Sequence, residues 1–325
     1  MDLVFLGTSA GVPTKRRNVT ALALQPESGR NWYLVDCGEA TQHRLLHLPM
    51  TVMGLRAIFI THVHGDHSYG LPGLLACAAM SGRTEPLTLV APAAVIEWVA
   101  ATRSLTELYL PFRLQSLALE SFEGWQDDEF AVEAVPVSHS VPTFAYRFSE
   151  VKRAIRLDTD RLVHEGIPRG PLWGVLKAGE DVVFGGRTLA SRDYLVYPDL
   201  TRRIVVGGDN DSPERLAGLC EGAQVLVHEA TYTREVAARM GPEIQHSSAA
   251  AIAAFAEEQN LANLLLTHFS PRYQDRPGKG LSVADIEAEA RAHYQGRLFL
   301  AEDFARYRLD REGILARVSG AEPSP

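Results

Sequence analysis

The chain has 325 residues, 46% of them hydrophobic and 22% charged, and a formal net charge of −8. This composition suits a globular protein with a large core, and it excludes collagen-like and low-complexity classes. The acidic balance argues against broad electrostatic capture of nucleic acid, so any RNA-binding surface must be local.

The N-terminal run MDLVFLGTSAGVPT lacks a basic leader region, and no stretch approaches the roughly 18 apolar residues of a membrane span. A cytoplasmic protein without a removable leader is expected. Cys37, Cys77 and Cys220 are odd in number and widely spaced, with no CxxC pair. They imply a reducing compartment and read as small buried hydrophobes.

Asp2 to Leu6 reads as a strand ending in the loop Gly7-Thr8-Ser9-Ala10-Gly11. Lys15, Arg16 and Arg17 follow closely. Thr20 to Leu24 and Trp32 to Val35 are further strands, the second ending at Asp36-Cys37-Gly38. Ala57 to Ile60 ends at Thr61-His62. The same punctuation recurs downstream. Phe130 to Val137 runs into Ser138-His139, Ile204 to Val206 into Gly207-Gly208-Asp209, Val225 to Val227 into His228-Glu229, and Leu264 to Leu266 into Thr267-His268. Each short apolar strand stops at a His or an Asp, where layered α/β proteins place their chemistry. Helices are expected at Leu71 to Met80, Ala93 to Thr102, Pro213 to Gly222, Ser247 to Gln259 and Val283 to His293. Ser212 and Ser282 are the candidate N-caps of the third and fifth.

Residues 152–192 break this rhythm with glycine-proline turns and mixed charge. They read as an arm inserted in a single catalytic domain spanning 1–325. Lys152, Arg153, Arg156, Arg161, Arg169 and Lys177 could give the positive surface that the net charge lacks. The alternative is a solvated excursion whose cations pair with Asp158, Asp160 and Glu165.

Residues 61–67 read Thr-His-Val-His-Gly-Asp-His. On an extended segment His62 and His64 share a face, and Gly65 lets the backbone turn so that Asp66 and His67 address a second point. So short a loop suits two neighbouring ions better than one. His139, Asp209 and His268 are the candidate remaining ligands, with Asp209 able to bridge through its two oxygens. Imidazole and carboxylate ligands suit two zinc ions, and manganese or iron is also compatible.

THVHGDH matches the HxHxDH signature of the metallo-β-lactamase superfamily. The resemblance implies a four-layer αβ/βα sandwich with the metals at one edge. It assigns His62 and His64 to one metal and Asp66 and His67 to the other, and it places His139 and His268 at the family's later histidine ligands and Asp209 at its bridging carboxylate. Finer segments resemble ribonuclease Z: GTSAGVPTKRRN, LVDCGEATQHRLL, FITHVHGDHSYGLPGLL, HEATY, QHSSAAAIAAFA and LLLTHFSPRY. GPLWGVLKAGE at 170–180 is similar to that family's glycine-proline exosite. Ala40, Asn210 and Ser248 depart from the family pattern, and none is a metal ligand.

That resemblance implies a zinc-dependent endoribonuclease that removes the 3′ trailer of precursor tRNA, leaving a 3′-hydroxyl on the tRNA and a 5′-phosphate on the trailer. Asp66 would orient or deprotonate the attacking water. His246 would act as general acid, with Glu229 orienting it. Gly170, Pro171 and Lys177 of the arm, with Lys15, Arg16 and Arg17, would contact the tRNA, and a homodimer would supply each arm to the other subunit's substrate. The competing readings are a phosphodiesterase for small phosphodiesters, a thioester, lactone or β-lactam hydrolase of the same fold, and a tRNA-binding protein with a vestigial site.

Overall fold

A computed structural model describes residues 1–27, 29–151, 156–196, 200–275, 278 and 280–318. Two large sheets face each other. One has eight strands in the spatial order Leu315–Val318, Arg306–Leu309, Asp2–Gly7, Ala21–Gln25, Trp32–Val35, Leu55–Phe59, Leu87–Ala91 and Leu114–Ala118. The other has seven, in the order Arg297–Leu300, Asn263–Thr267, Val225–Glu229, Arg203–Val206, Thr143–Glu150, Phe130–Val137 and Trp125–Gln126.

The layering follows from alternation along the strands, since successive side chains point to opposite faces. Leu3, Phe5, Tyr33, Phe59, Phe148, Ile204 and Val227 point inward and form one core between the sheets. Val4, Leu34, Ile58 and Leu89 point outward, under the helices Leu71–Met80 and Ala93–Leu105. Val205, Leu226, Leu264 and Leu266 pack beneath the helices Ala249–Glu258 and Val283–Arg291. The result is the αβ/βα sandwich expected from the sequence.

Several elements differ in detail from the sequence reading. The 213–222 helix breaks into a 3₁₀ turn at Pro213–Leu216 and a short helix at Ala217–Cys220. Ser212 does not cap it, because its hydroxyl donates to Asp211 (2.8 Å). Ser282 does begin a helix, and its N–H donates to the Asp285 carboxylate at 2.7 Å. Cys37 and Cys220 are buried, but Cys77 is exposed on the outer face of its helix.

Residues 156–196 form a small unit. Arg156–Leu157 pairs with Leu195–Val196, and a hairpin joins Val182–Phe184 to Arg187–Leu189. Leu162, Ile167, Leu176, Leu189 and Tyr194 make its own apolar cluster. The pairing at 195–196 carries this excursion past residue 192. Lys152 and Arg153 lie outside the described residues.

Topology places the site. In each sheet a run of neighbouring strands is parallel: Trp32–Val35 with Leu55–Phe59, and Arg203–Val206 with Val225–Glu229 and Asn263–Thr267. Parallel strands bring their carboxyl ends to one edge, the usual location of α/β sites. Asp36, His62, Asp209, Glu229 and His268 therefore converge although they are distant in sequence.

Candidate metal centre

At that edge His62, His64, His139 and Asp209 form one cluster, and Asp66, His67 and His268 form a second beside it. Asp209, only 3% exposed, divides its carboxylate between them. Its Oδ2 lies 3.7 Å from His62 Nε2 and 3.8 Å from His139 Nε2. Its Oδ1 lies 3.4 Å from both His67 Nε2 and His268 Nε2. Within the first set, His64 Nδ1 is 3.1 Å from His62 Nε2 and 3.3 Å from His139 Nε2. Within the second, Asp66 Oδ2 is 3.4 Å from His67 Nε2 and 3.3 Å from His268 Nε2.

These spacings fit cations. A tetrahedral ion with ligands at about 2.0–2.1 Å separates its donor atoms by about 3.3 Å. The ring tautomers fit as well. His67 Nδ1 donates to the Asp36 carboxylate at 2.7 Å. His139 Nδ1 donates to the Gln245 carbonyl at 3.0 Å. Thr61 hydrogen-bonds Asp36 through its hydroxyl, which leaves that oxygen to accept from His62 Nδ1 at 2.9 Å. Thr231 donates to Glu229 and accepts from His268 Nδ1 at 2.9 Å. With the outer nitrogens carrying the protons, the Nε2 lone pairs of His62, His67, His139 and His268 point into the cluster. Lone pairs so close together repel unless a cation or a proton sits among them.

Electrostatics agree. Burial opposes charge on His67, but Asp209, Asp66 and Asp36 outweigh it and hold its pKa well above the ordinary imidazole value. Burial likewise disfavours charge on Asp66 and Asp209, yet neighbouring histidines keep both carboxyls far below their usual range. The donor set therefore suits a divalent metal. Metal and protons compete for it.

The local chain explains this precision. Asp36 takes a left-handed conformation (φ 59°), and so does His268 (φ 58°). Gly38 lets the Asp36 loop lie against the metal loop, because a Cβ there would stand 2.4 Å from the Asp66 carbonyl oxygen. The Gly11 N–H donates to Asp66 Oδ2 at 2.7 Å, which ties the first loop to the ligand.

Asn210, in sequence only a departure from the family pattern, is a hub. Its Oδ1 accepts from the N–H groups of Ser138 and Ser212, both at 3.1 Å, and its own N–H donates to Glu229 Oε1 at 2.7 Å. It thereby holds together the loops carrying His139, Asp209 and Glu229. Asp36, Thr61 and Thr231 carry no sequence mark of their roles as orienting groups, save that Asp36, like the ligands, ends its strand.

His246 lies beside both clusters, its Nδ1 3.0 Å from Glu229 Oε2 and 3.7 Å from Asp209 Oδ2. Burial alone would lower its pKa. The buried Glu229 carboxylate overrides this and pushes it up to about 9. Lys15 and Arg16 are exposed, as are Gly170, Pro171 and Lys177 on the 156–196 unit, where Pro171 begins the helix Pro171–Lys177. Arg17 differs from expectation. It is 8% exposed, and its donors go to Asp275 (2.7 Å), the Thr8 hydroxyl (2.7 Å) and the Ala301 carbonyl (2.8 Å). It braces the first loop, and its Nε and Nη1 donors are spent inside the protein.

Comparison with known proteins gives this geometry a family. A family profile described as "Anti-Pycsar protein Apyc1" matches residues 1–106, the part that contains the 61–67 cluster. Ribonuclease Z of Pseudomonas putida strain W619 is 55% identical over 98% of this chain and 100% of its own length. Ribonuclease Z of Marinobacter nauticus is 50% identical over 98% of this chain and 99% of its own. The chain belongs to the ribonuclease Z family.

Structural neighbours agree. The short form of human tRNase Z is 25% identical, covers 94% of this chain and 98% of its own, and superposes with a TM-score of 0.63. A metallo-β-lactamase fold protein from Bacillus subtilis, 17% identical over 94% of this chain and 97% of its own, also reaches 0.63 and supports the fold alone. As a ribonuclease Z family member, the chain is a metal-dependent endoribonuclease with the metallo-β-lactamase fold.

Proposed function

We propose that this protein cuts precursor tRNA at its 3′ side, using two zinc ions, and leaves a 3′-hydroxyl on the tRNA and a 5′-phosphate on the trailer. The observation that carries this reading is Asp209. Its two oxygens stand between two donor sets, His62/His64/His139 and Asp66/His67/His268, at 3.7–3.8 Å from His62 and His139 and 3.4 Å from His67 and His268. Nitrogen and oxygen donors favour zinc, with manganese as the alternative ion. When bound, the two cations supply Lewis acidity toward the phosphate oxygens and a nucleophile at neutral pH.

The chain's own residues do the rest. The Asp66 carboxylate, kept ionised by His67 and His268, orients the attacking water by accepting a hydrogen bond from it. His246, fixed by Glu229 through Nδ1, has Nε2 available to protonate the departing 3′ oxygen. Its raised pKa keeps that proton in place at neutral pH. Water attack, with no part for the ribose 2′-hydroxyl, accounts for the 3′-hydroxyl product.

RNA binding is assigned to exposed Lys15 and Arg16 near the site and to Gly170, Pro171 and Lys177 on the arm, which would read backbone shape more than sequence. Part of the arm's charge is spent internally, because Arg161 and Arg187 both pair with Glu165. A homodimer in which one arm serves the other subunit's substrate follows from the family resemblance. A cytoplasmic location accords with the free cysteines, and among the described residues no helix is long and apolar enough to cross a membrane. The test is cleavage of a precursor tRNA with analysis of both new ends. A 2′,3′-cyclic phosphate product, or faster turnover of a small phosphodiester than of tRNA, would overturn the proposal.

A further inference from the structure

Next to the metal loop stands an aromatic ring that the chemistry above does not use. Tyr69 follows the 61–67 cluster by two residues and is 65% exposed. Its position is built. A Cβ on Gly65 would stand 2.3 Å from Tyr69 Cε2, 2.5 Å from Cδ2 and 2.7 Å from Cζ. Three ring atoms at such similar distances place the face of the ring over the glycine backbone. Trp98, partly buried on the helix Ala93–Leu105, supports it with ring centroids 5.9 Å apart and planes inclined at 40°. Gly65 lies directly between His64 and Asp66 in the chain, so the ring covers the backbone that joins one residue of each donor set.

A large exposed aromatic held in this way is a surface for another flat group. The flat groups that an endoribonuclease brings to its metal loop are nucleobases. We infer that Tyr69 is a stacking platform for a base flanking the scissile phosphate, positioned by Gly65 and Trp98. The inference rests on the RNA-cleaving reading above. Stacking tolerates any base, because every base offers a π-face, and it is strongest for unpaired nucleotides. The platform would therefore fix the path of the single-stranded segment through the site without selecting sequence.

The experiment is steady-state kinetics of the metal-loaded enzyme on an intact precursor tRNA and on versions carrying one abasic nucleotide at each position flanking the cut. Tyr69→Ala is expected to raise KM about tenfold on the intact substrate, the range of one lost base–aromatic stack. Tyr69→Phe should stay within about twofold. Tyr69→Leu keeps apolar bulk without a π-face and should behave like Tyr69→Ala, which guards against a folding artefact. On the one substrate whose abasic position removes the stacked base, wild type and Tyr69→Ala should converge in KM. Cleavage of the intact precursor by wild type tests the RNA reading separately. Wild-type KM in Tyr69→Leu, or a KM increase in Tyr69→Ala that persists on every abasic substrate, would overturn the platform. So would a drop in solution mass with Tyr69→Ala, which would assign the ring to a contact with a second copy of the chain.

Discussion

Replacing Asp36 by Asn tests whether outer hydrogen bonds tune the metal centre. The Asp36 carboxylate accepts from His67 Nδ1 (2.7 Å), the Thr61 N–H (2.7 Å) and the Thr61 hydroxyl (2.9 and 3.0 Å). Asparagine is nearly the same size but has one acceptor oxygen and an NH₂ group. If that oxygen keeps the Thr61 N–H, the NH₂ faces the proton on His67 Nδ1. The clash is relieved by moving the His67 proton to Nε2. That nitrogen faces Asp66, Asp209 and His268 at 3.2–3.4 Å and would stop being a ligand. Loss of such a partner typically weakens metal binding by about 10–100-fold, or about 1.4–2.7 kcal/mol. Competition with a graded chelator series, read as bound metal per chain, measures this. The ion assigned to Asp66, His67 and His268 should weaken more than its neighbour, which feels Asp36 only through Thr61 and His62. Two ions of wild-type affinity in Asp36→Asn would refute the reasoning.

Other predictions follow from the same geometry. His246 has its pKa raised to about 9, so its acid form persists below that pH and is lost as pH rises through it; kcat on precursor tRNA should fall on the alkaline side. Glu229→Gln removes the charge that sustains the shift and should move that limb to lower pH, while His246→Ala should cost about 10²–10⁴-fold in kcat. An alkaline limb unmoved by Glu229→Gln assigns it to another group. Arg17→Ala breaks a largely buried pair with Asp275 and removes the donor to the Ala301 carbonyl, so urea unfolding should show a loss of about 3 kcal/mol. Lys15→Ala and Arg16→Ala should instead act on tRNA KM and leave stability near wild type. Deleting 156–196 should weaken tRNA binding and flatten its salt dependence, while hydrolysis of a small phosphodiester continues. Equal loss of both activities would make the arm structural.

The sequence makes the chemistry legible because metal ligands must cluster and must sit where strands stop. His62, His64, Asp66 and His67 announce themselves by density. His139, Asp209 and His268 announce themselves by position after short apolar runs. The inner cores are legible for a related reason, since alternate residues of each strand face alternate layers. What the sequence conceals is partnership between distant segments. Asp36 is thirty-one residues from the His67 that it orients. Arg17 reads as a free cation until Asp275, 258 residues away, is seen beside it. Asn210 looks like a deviation in a motif, yet its amide holds Ser138 and Ser212 at once. Tyr69 carries no mark in the sequence until the missing Cβ of Gly65 shows why its ring can lie where it does.

The most direct test of the central claim is the metal content of the purified protein, measured beside that of Asp209→Asn. The account predicts two divalent ions per chain in the wild type. In Asp209→Asn, where one shared oxygen becomes an amide, both ions should weaken and cleavage of precursor tRNA should fall with them. A wild type that cuts precursor tRNA at full rate with no bound divalent metal would contradict it.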